Sequence, residues 1–193
     1  MEDKTGRDRA LDKAFECAGS DGMRSFLEKL FMYDEALERR FIMRFGDSTD
    51  VEAVKEALEN ELDRLTYRYG GFIEWDCADS YEFDYERAVE GSVRAFIERG
   101  ESDAAFPLLE IAVSHLLTVQ SNSDTFPGDI LDSCCKLWRE ALSLVPKDEG
   151  SRRLVELHAF VDGIEADRGD YNDFVAKEIR DMLVEVAAVK AGV

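Results

Sequence analysis

Apolar residues recur along this chain at the three-and-four spacing of helices, almost from end to end. Phe26, Leu27, Leu30 and Phe31 share one face of "DGMRSFLEKLFMY", with Ser20 or Asp21 placed to cap its start. "DEALERRFIMRFG" restarts at Asp34, presents Leu37, Phe41 and Phe45, and stops at Gly46. Val51, Val54, Leu58, Leu62, Leu65 and Tyr69 form a longer stripe, capped by Asp50 and ended by Gly70 and Gly71. Tyr85, Ala88, Val89, Ser92, Val93, Phe96 and Ile97 predict the next helix, closed at Gly100. "AFPLLEIAVSHLLTVQ" is apolar around more of its circumference, as a central helix would be, with Pro107 in its first turn where a missing N–H costs little.

"SNSDTFPGD" breaks the pattern. Ile130, Cys134, Leu137, Trp138, Ala141 and Val145 then mark a helix ending before Pro146. Two more follow, one on Leu154, Leu157, Val161 and Ile164, the other on Phe174, Val175, Ile179, Met182, Val186 and Val189. "RFGD", "RYGG", "ERGE" and "DRGD" each set Arg before Gly at a helix end, where Arg complements the negative terminus and Gly takes a left-handed turn. Alternating stretches of useful length are missing. The prediction is all-α: antiparallel helix pairs packed as a bundle or a short right-handed TPR-like solenoid, about seven to nine helices, no sheet. Residues 1–20 are expected as a partly flexible segment or one helix, and 21–193 as a single helical domain.

Charge changes the functional picture. The 193 residues carry 43 acids against 24 bases, a net −19, which opposes direct contact with nucleic-acid phosphates and with anionic membranes. The acids are spread through every segment, as on a solvated surface. Cys17, Cys77, Cys134 and Cys135 have no framework spacing and read as reduced thiols filling space, in keeping with a cytoplasmic protein. The charged N-terminal stretch has no signal-peptide pattern, and no run is long enough to span a membrane.

Candidate chemistry is sparse. His115 lies in the most apolar helix and His158 in "VELHAFVDGIE", without the one-turn pairing of an HExxH site. Nucleophile elbows, phosphate loops and calcium-loop registers are missing, and "DSTD" and "SNSDTFPGD" read as capping segments. No catalytic, cofactor or metal residue is assigned. The densest feature is "YRYGGFIEWDCADSYEFDYE", residues 67–86, with seven of the chain's twenty aromatic residues and six acids against one Arg. Its rings read chiefly as a plug where helix pairs meet. Rings left exposed would be the place for a partner, with Trp75, Tyr81, Phe83 and Tyr85 as candidates.

Three stretches together resemble a known family: "FLEKLFMYDEALERRFIMRFGD", the long acidic helix leading into "GGFIEWDCADSYEFDYE", and "LLEIAVSHLLTVQSNSDTFPGDILDSCCKLWREAL". Their order is similar to the helical region that follows the zinc module in bacterial SWIM zinc finger family proteins. Gly71, Phe72, Ile73, Trp75 and Tyr81 match that family's connector pattern. The family's C-x-C and C-x-H halves are both missing, so no metal ligand carries over. The chain is then either part of a larger zinc-containing protein or a relative without the module. The resemblance implies a helical scaffold for protein association. Alternatives are the regulatory arm of a nucleic-acid-associated complex, a homodimeric structural domain, and a metal-dependent helical enzyme with two carboxylates and His115 or His158 around one cavity.

Overall fold

A computed structural model describes residues 6–34, 37, 41, 51–167, 169 and 171–191. The chain forms two compact units, Met1–Gly46 and Asp47–Val193, so the boundary expected at residues 20 and 21 falls inside the first. In that first unit, α1 (Gly6–Phe31) is one helix kinked at Gly19, whose φ of 60° and ψ of −177° are open to glycine. The expected helix start at Ser20 or Asp21 is therefore the second leg of a kinked element. Phe26 and Leu30 on that leg are exposed. Asp34 Oδ1 accepts the Leu37 amide at 2.9 Å, the bond of an N-cap. Phe31 and Phe41 pack at a 50° tilt with centroids 5.3 Å apart. Phe45, Gly46 and Asp50 lie outside the described residues.

The second unit holds α2 (Val51–Arg68), α3 (Ala78–Glu98), a 3-10 turn at Ser102–Ala104, α4 (Ala105–Leu116), α5 (Gly128–Leu144), α6 (Lys147–Ala166) and α7 (Asn172–Ala191). With α1, seven α-helices are present among the described residues. Helices α2, α3 and α4 pack on one another, α5 covers α3 and α4, and α7 bridges α5 to α6. The unit is an all-α bundle. Its centre is α4, with Phe106, Leu108, Leu109, Ala112, Val113 and Leu116 fully buried. The α2 stripe of Val54, Leu58, Leu62 and Leu65 faces this core, as its spacing predicts. Along α7 the buried set is Val175, Ala176, Ile179, Met182 and Leu183, while Phe174 is exposed.

One departure is a parallel ladder two residues long. β1 (Phe72–Ile73) pairs with β2 (Gln120–Ser121), tying the α2–α3 connector to the α4–α5 connector. Side chains reinforce it: Ser121 Oγ donates to the Ile73 carbonyl at 2.8 Å, and Tyr171 Oη donates to the Ser121 carbonyl at 3.1 Å.

Helix ends follow the Arg-Gly reading in two places. Gly70, Gly71 and Gly100 take φ of 86°, 80° and 75°. The "DRGD" stop works differently. There the Asn172 amide, buried at the start of α7, donates to the carbonyls of Ile164 and Asp167 at 2.9 and 3.1 Å. The last turn of α6 is closed by a side chain from the following helix, which also fixes the α6–α7 corner.

Glu82 is the costly residue of the core. Positions 78, 82, 85 and 89 share a helix face, and Ala78, Tyr85 and Val89 are buried along it. Glu82 goes in with them, and its Oε1 has no hydrogen-bond partner. Burial first, then the carboxylates of Asp129, Asp79 and Glu86, push its pKa up to about 7. The folded value exceeds the ordinary 4.5, so the native state holds the proton more tightly than the unfolded chain. The stability tied to the neutral acid is complete below 4.5 and lost as pH rises through about 7. Glu82→Gln keeps the neutral shape; chemical denaturation at about pH 8 is expected to find it more stable than wild type, on the order of 2 kcal/mol, with the difference shrinking toward acid pH. Equal pH profiles for the two proteins would refute this account.

Candidate functional site

Two places in the second unit gather functional groups. The first is the connector. A helix turns 100° per residue, so positions 81 and 85 point the same way and 83 points opposite. Tyr81 and Tyr85 are both 0% exposed, whereas Phe83 is 63% exposed. Tyr81 shares a hydrogen bond with Thr66 Oγ1 of α2 at 2.9 Å, and its ring packs edge-on against Tyr69. Burial raises its pKa to about 12. Tyr85 Oη donates to the Ala112 carbonyl of α4 at 2.7 Å, and burial pushes its pKa well up. Neither ring is available to a partner: this corrects the expectation for Tyr81 and Tyr85, since ring area and hydroxyl are both satisfied inside the core.

Trp75 and Phe83 are different. Trp75 is 72% exposed on a turn whose backbone is held, because its amide donates to Asn122 Oδ1 at 2.7 Å. Asn122 Nδ2 in turn donates to Glu74 Oε2 at 2.9 Å. Tyr67 and Phe72, which were not among the partner candidates, are 85% and 40% exposed. Beside Phe83 lies a shallow depression of about 370 Å³ lined by Tyr69, Asp79, Ser80, Phe83 and Asp84. Asp84 Oδ2 accepts from Tyr69 Oη at 3.1 Å and from Arg68 Nη1 at 3.4 Å. Desolvation, then the Asp84 contact, raises the Tyr69 pKa.

The second place is a groove of about 640 Å³ between α2 and α4, with Phe160 of α6 at its wall. Lys55, Glu59 and Asp63, spaced by four along α2, line one side; Glu110, Ser114 and His115 of α4, with Thr118 just past its end, line the other. That spacing was the sequence signal for this face, though nothing in it named the opposing helix. His115 is mostly buried, with Nδ1 3.1 Å from Tyr85 Oη and Nε2 3.3 Å from Asp63 Oδ1. The Tyr85 hydrogen goes to Ala112 at 2.7 Å, so the Tyr85 contact calls for a hydrogen on Nδ1, while the 3.3 Å contact with the Asp63 carboxylate calls for one on Nε2. A neutral ring supplies one of these hydrogens; the protonated ring supplies both and closes an ion pair with Asp63.

Burial lowers the His115 pKa, against the opposing pull of Asp63 and Glu59, and burial raises that of Glu110. His158 is exposed on α6 and does not join the groove. Carboxylates and His115 thus share one cavity, yet among the described residues no group of three or more His, Cys, Asp or Glu is arranged to hold a metal. Cys134 and Cys135 are buried free thiols, and burial raises both, Cys135 to about 12, which keeps them protonated. Among the described residues no helix is long and apolar enough to cross a membrane.

No family model, curated protein or solved structure matches the chain.

For His115 the folded pKa lies below the ordinary 6.5, so the unfolded chain takes the proton first. The stability tied to the neutral ring is complete above 6.5 and lost as pH falls toward the lowered folded value. His115→Gln removes that loss: its unfolding free energy should fall less than that of wild type between about pH 7 and 5. An imidazole titration followed by NMR that returned a value above 6.5 would contradict the burial argument.

Proposed function

We propose that this protein is a non-enzymatic helical scaffold that binds another protein through the α2–α3 connector, with Trp75 and Phe83 as anchors and Phe72 and Tyr67 as further exposed rings. The observation that carries this is an exposed Trp on an immobilised backbone. Trp75 keeps most of its ring in water although its amide is bonded to Asn122 and the neighbouring strand is paired. Large rings exposed on loose loops can fold back. These are held outward, where their hydration is costly and a partner would relieve it. Trp at the centre of an interface is also the residue whose removal costs binding most.

The resemblance to the helical region of SWIM zinc finger proteins adds to this reading, since that region would serve association and not metal binding. A cytoplasmic setting fits the reduced thiols and the acidic surface. The partner is taken to be a protein; the surface charge disfavours nucleic acid.

The test is capture of partners from the source cell by wild type and by a Phe72→Ser/Trp75→Ser/Phe83→Ser variant. These side chains are exposed, so the variant should unfold within about 1 kcal/mol of wild type. Specific bands should vanish with it and persist with Val155→Ser/Val184→Ser, which removes exposed apolar groups elsewhere. Bands that survive the triple change, or molar masses in solution that fall from dimer to monomer with it, would replace this reading: the first with a different surface, the second with a homodimer.

A further inference from the structure

Resting on the interaction reading, the chemistry beside Phe83 specifies what the partner must bring. The depression has two aromatic walls, Tyr69 and Phe83, and two carboxylates, Asp79 and Asp84. Asp79 and Phe83 are four residues apart on α3, so a carboxylate and a ring stand side by side on one helix face. Rings supply a π face and acids supply charge, the combination that holds a planar cation better than a neutral group. The surroundings agree: residues 67–86 carry six acids and only Arg68 in return. That one Arg is informative. Its guanidinium lies 3.4 Å from Asp84 Oδ2 while the side chain remains largely in solvent. A guanidinium therefore suits this edge, and the chain's own is weakly held, since an exposed pair of this kind contributes little.

We infer that the depression between Tyr69 and Phe83 receives an arginine side chain from a basic segment of the partner protein, with Asp79 and Asp84 pairing its charge and Trp75 packing on the flanking residues. Arg68 then acts as an internal competitor that any incoming arginine must displace. The buried carboxyl of Glu82 lies close enough for Asp79 to disfavour its ionisation, so a cation at Asp79 also offsets some of the acid crowding on this face.

The probes are a short arginine-bearing peptide, its citrulline counterpart of equal shape and no charge, and an apolar phenylalanine-bearing peptide, titrated against the full chain. Calorimetry gives affinity, and Trp emission reports the site, because Trp75 is exposed whereas the chain's other Trp, Trp138, is fully buried. The arginine peptide is expected to bind about tenfold more tightly than the citrulline one. Asp79→Asn or Phe83→Ser should erase that difference, and Arg68→Gln should widen it. Glu149→Gln, the same loss of charge at an exposed position on α6, should leave it unchanged. A Glu149→Gln effect as large as that of Asp79→Asn would mean diffuse attraction by the net charge and would overturn the pocket. Citrulline and apolar peptides that shift Trp75 emission as strongly as the arginine peptide would overturn the cation preference and leave the interaction face standing. If calorimetry finds no binding by the arginine peptide, the arginine site is refuted, and the interaction reading is then judged by capture alone.

Discussion

The hydroxyl of Tyr85 is the point on which the helical packing turns. It is fully buried, and an unpaired hydroxyl there would cost on the order of 1–3 kcal/mol. Donation to the Ala112 carbonyl removes that cost and sets α3 against α4 at one height. Tyr81, one turn earlier, does the same for α3 against α2 through Thr66. Two bonded rings on one stripe thus fix the three helices that surround the core. They also settle the connector. With 81 and 85 inward, 83 must face solvent, and the chain arriving from β1 carries Trp75 outward on its bonded turn. The exposed rings are the geometrical remainder of burying the other two.

The same register explains why both unusual titratable groups sit where they do. Glu82 enters the core because it lies on the stripe that Tyr85 and Val89 anchor, and its neighbours Asp79, Glu86 and Asp129 are acids that cannot pair it. His115 is drawn against Tyr85 from α4, and burial keeps it neutral. Burial favours the protonated form of one and the unprotonated form of the other, so their contributions to stability run in opposite directions as pH falls just below 6.5. In that range the two partly offset each other. A flat profile is therefore no sign that buried titratable groups are missing.

The helices were legible because burial follows period: Val54, Leu58, Leu62 and Leu65 stand three and four apart and are all inside. The inward turn of Tyr81 and Tyr85 was not read: both stood as partner candidates beside Phe83, and only a helix that begins as early as Ala78 separates 83 from the other two. Other features leave no such trace. A two-residue ladder is too short to alternate, and Ile73 meets Ser121 only because two loops converge. The closure of α6 by Asn172 depends on a side chain reaching back eight residues to Ile164, at a stop where an Arg-Gly pair suggested a glycine turn. Opposing helices are the least visible. Spacing by four puts Lys55, Glu59 and Asp63 on one face of α2, but it does not say that Glu110 and His115 of α4 lie across the groove.

Acid excess becomes specific only through pairing. Several of the arginines are consumed within the fold: Arg94 joins Glu90 and Glu140, Arg153 joins Asp103 and Glu156, Arg180 joins Asp162 and Glu165, and Arg139 joins Glu185. These pairs draw helices together: α3 with α5, α6 with α7, and α5 with α7. With 43 acids and 24 bases, complete pairing would still leave 19 carboxylates without a cation. Spread evenly, that excess gives solubility and nothing more. Near the connector it is not even, since residues 67–86 hold six acids, one of them the buried Glu82, against a single Arg68 that is weakly held. Aromatic area without charge would attract any apolar surface, and charge without rings would attract any base. Together on a backbone that two connectors and Asn122 hold in place, they are what leads us to propose a partner that brings both.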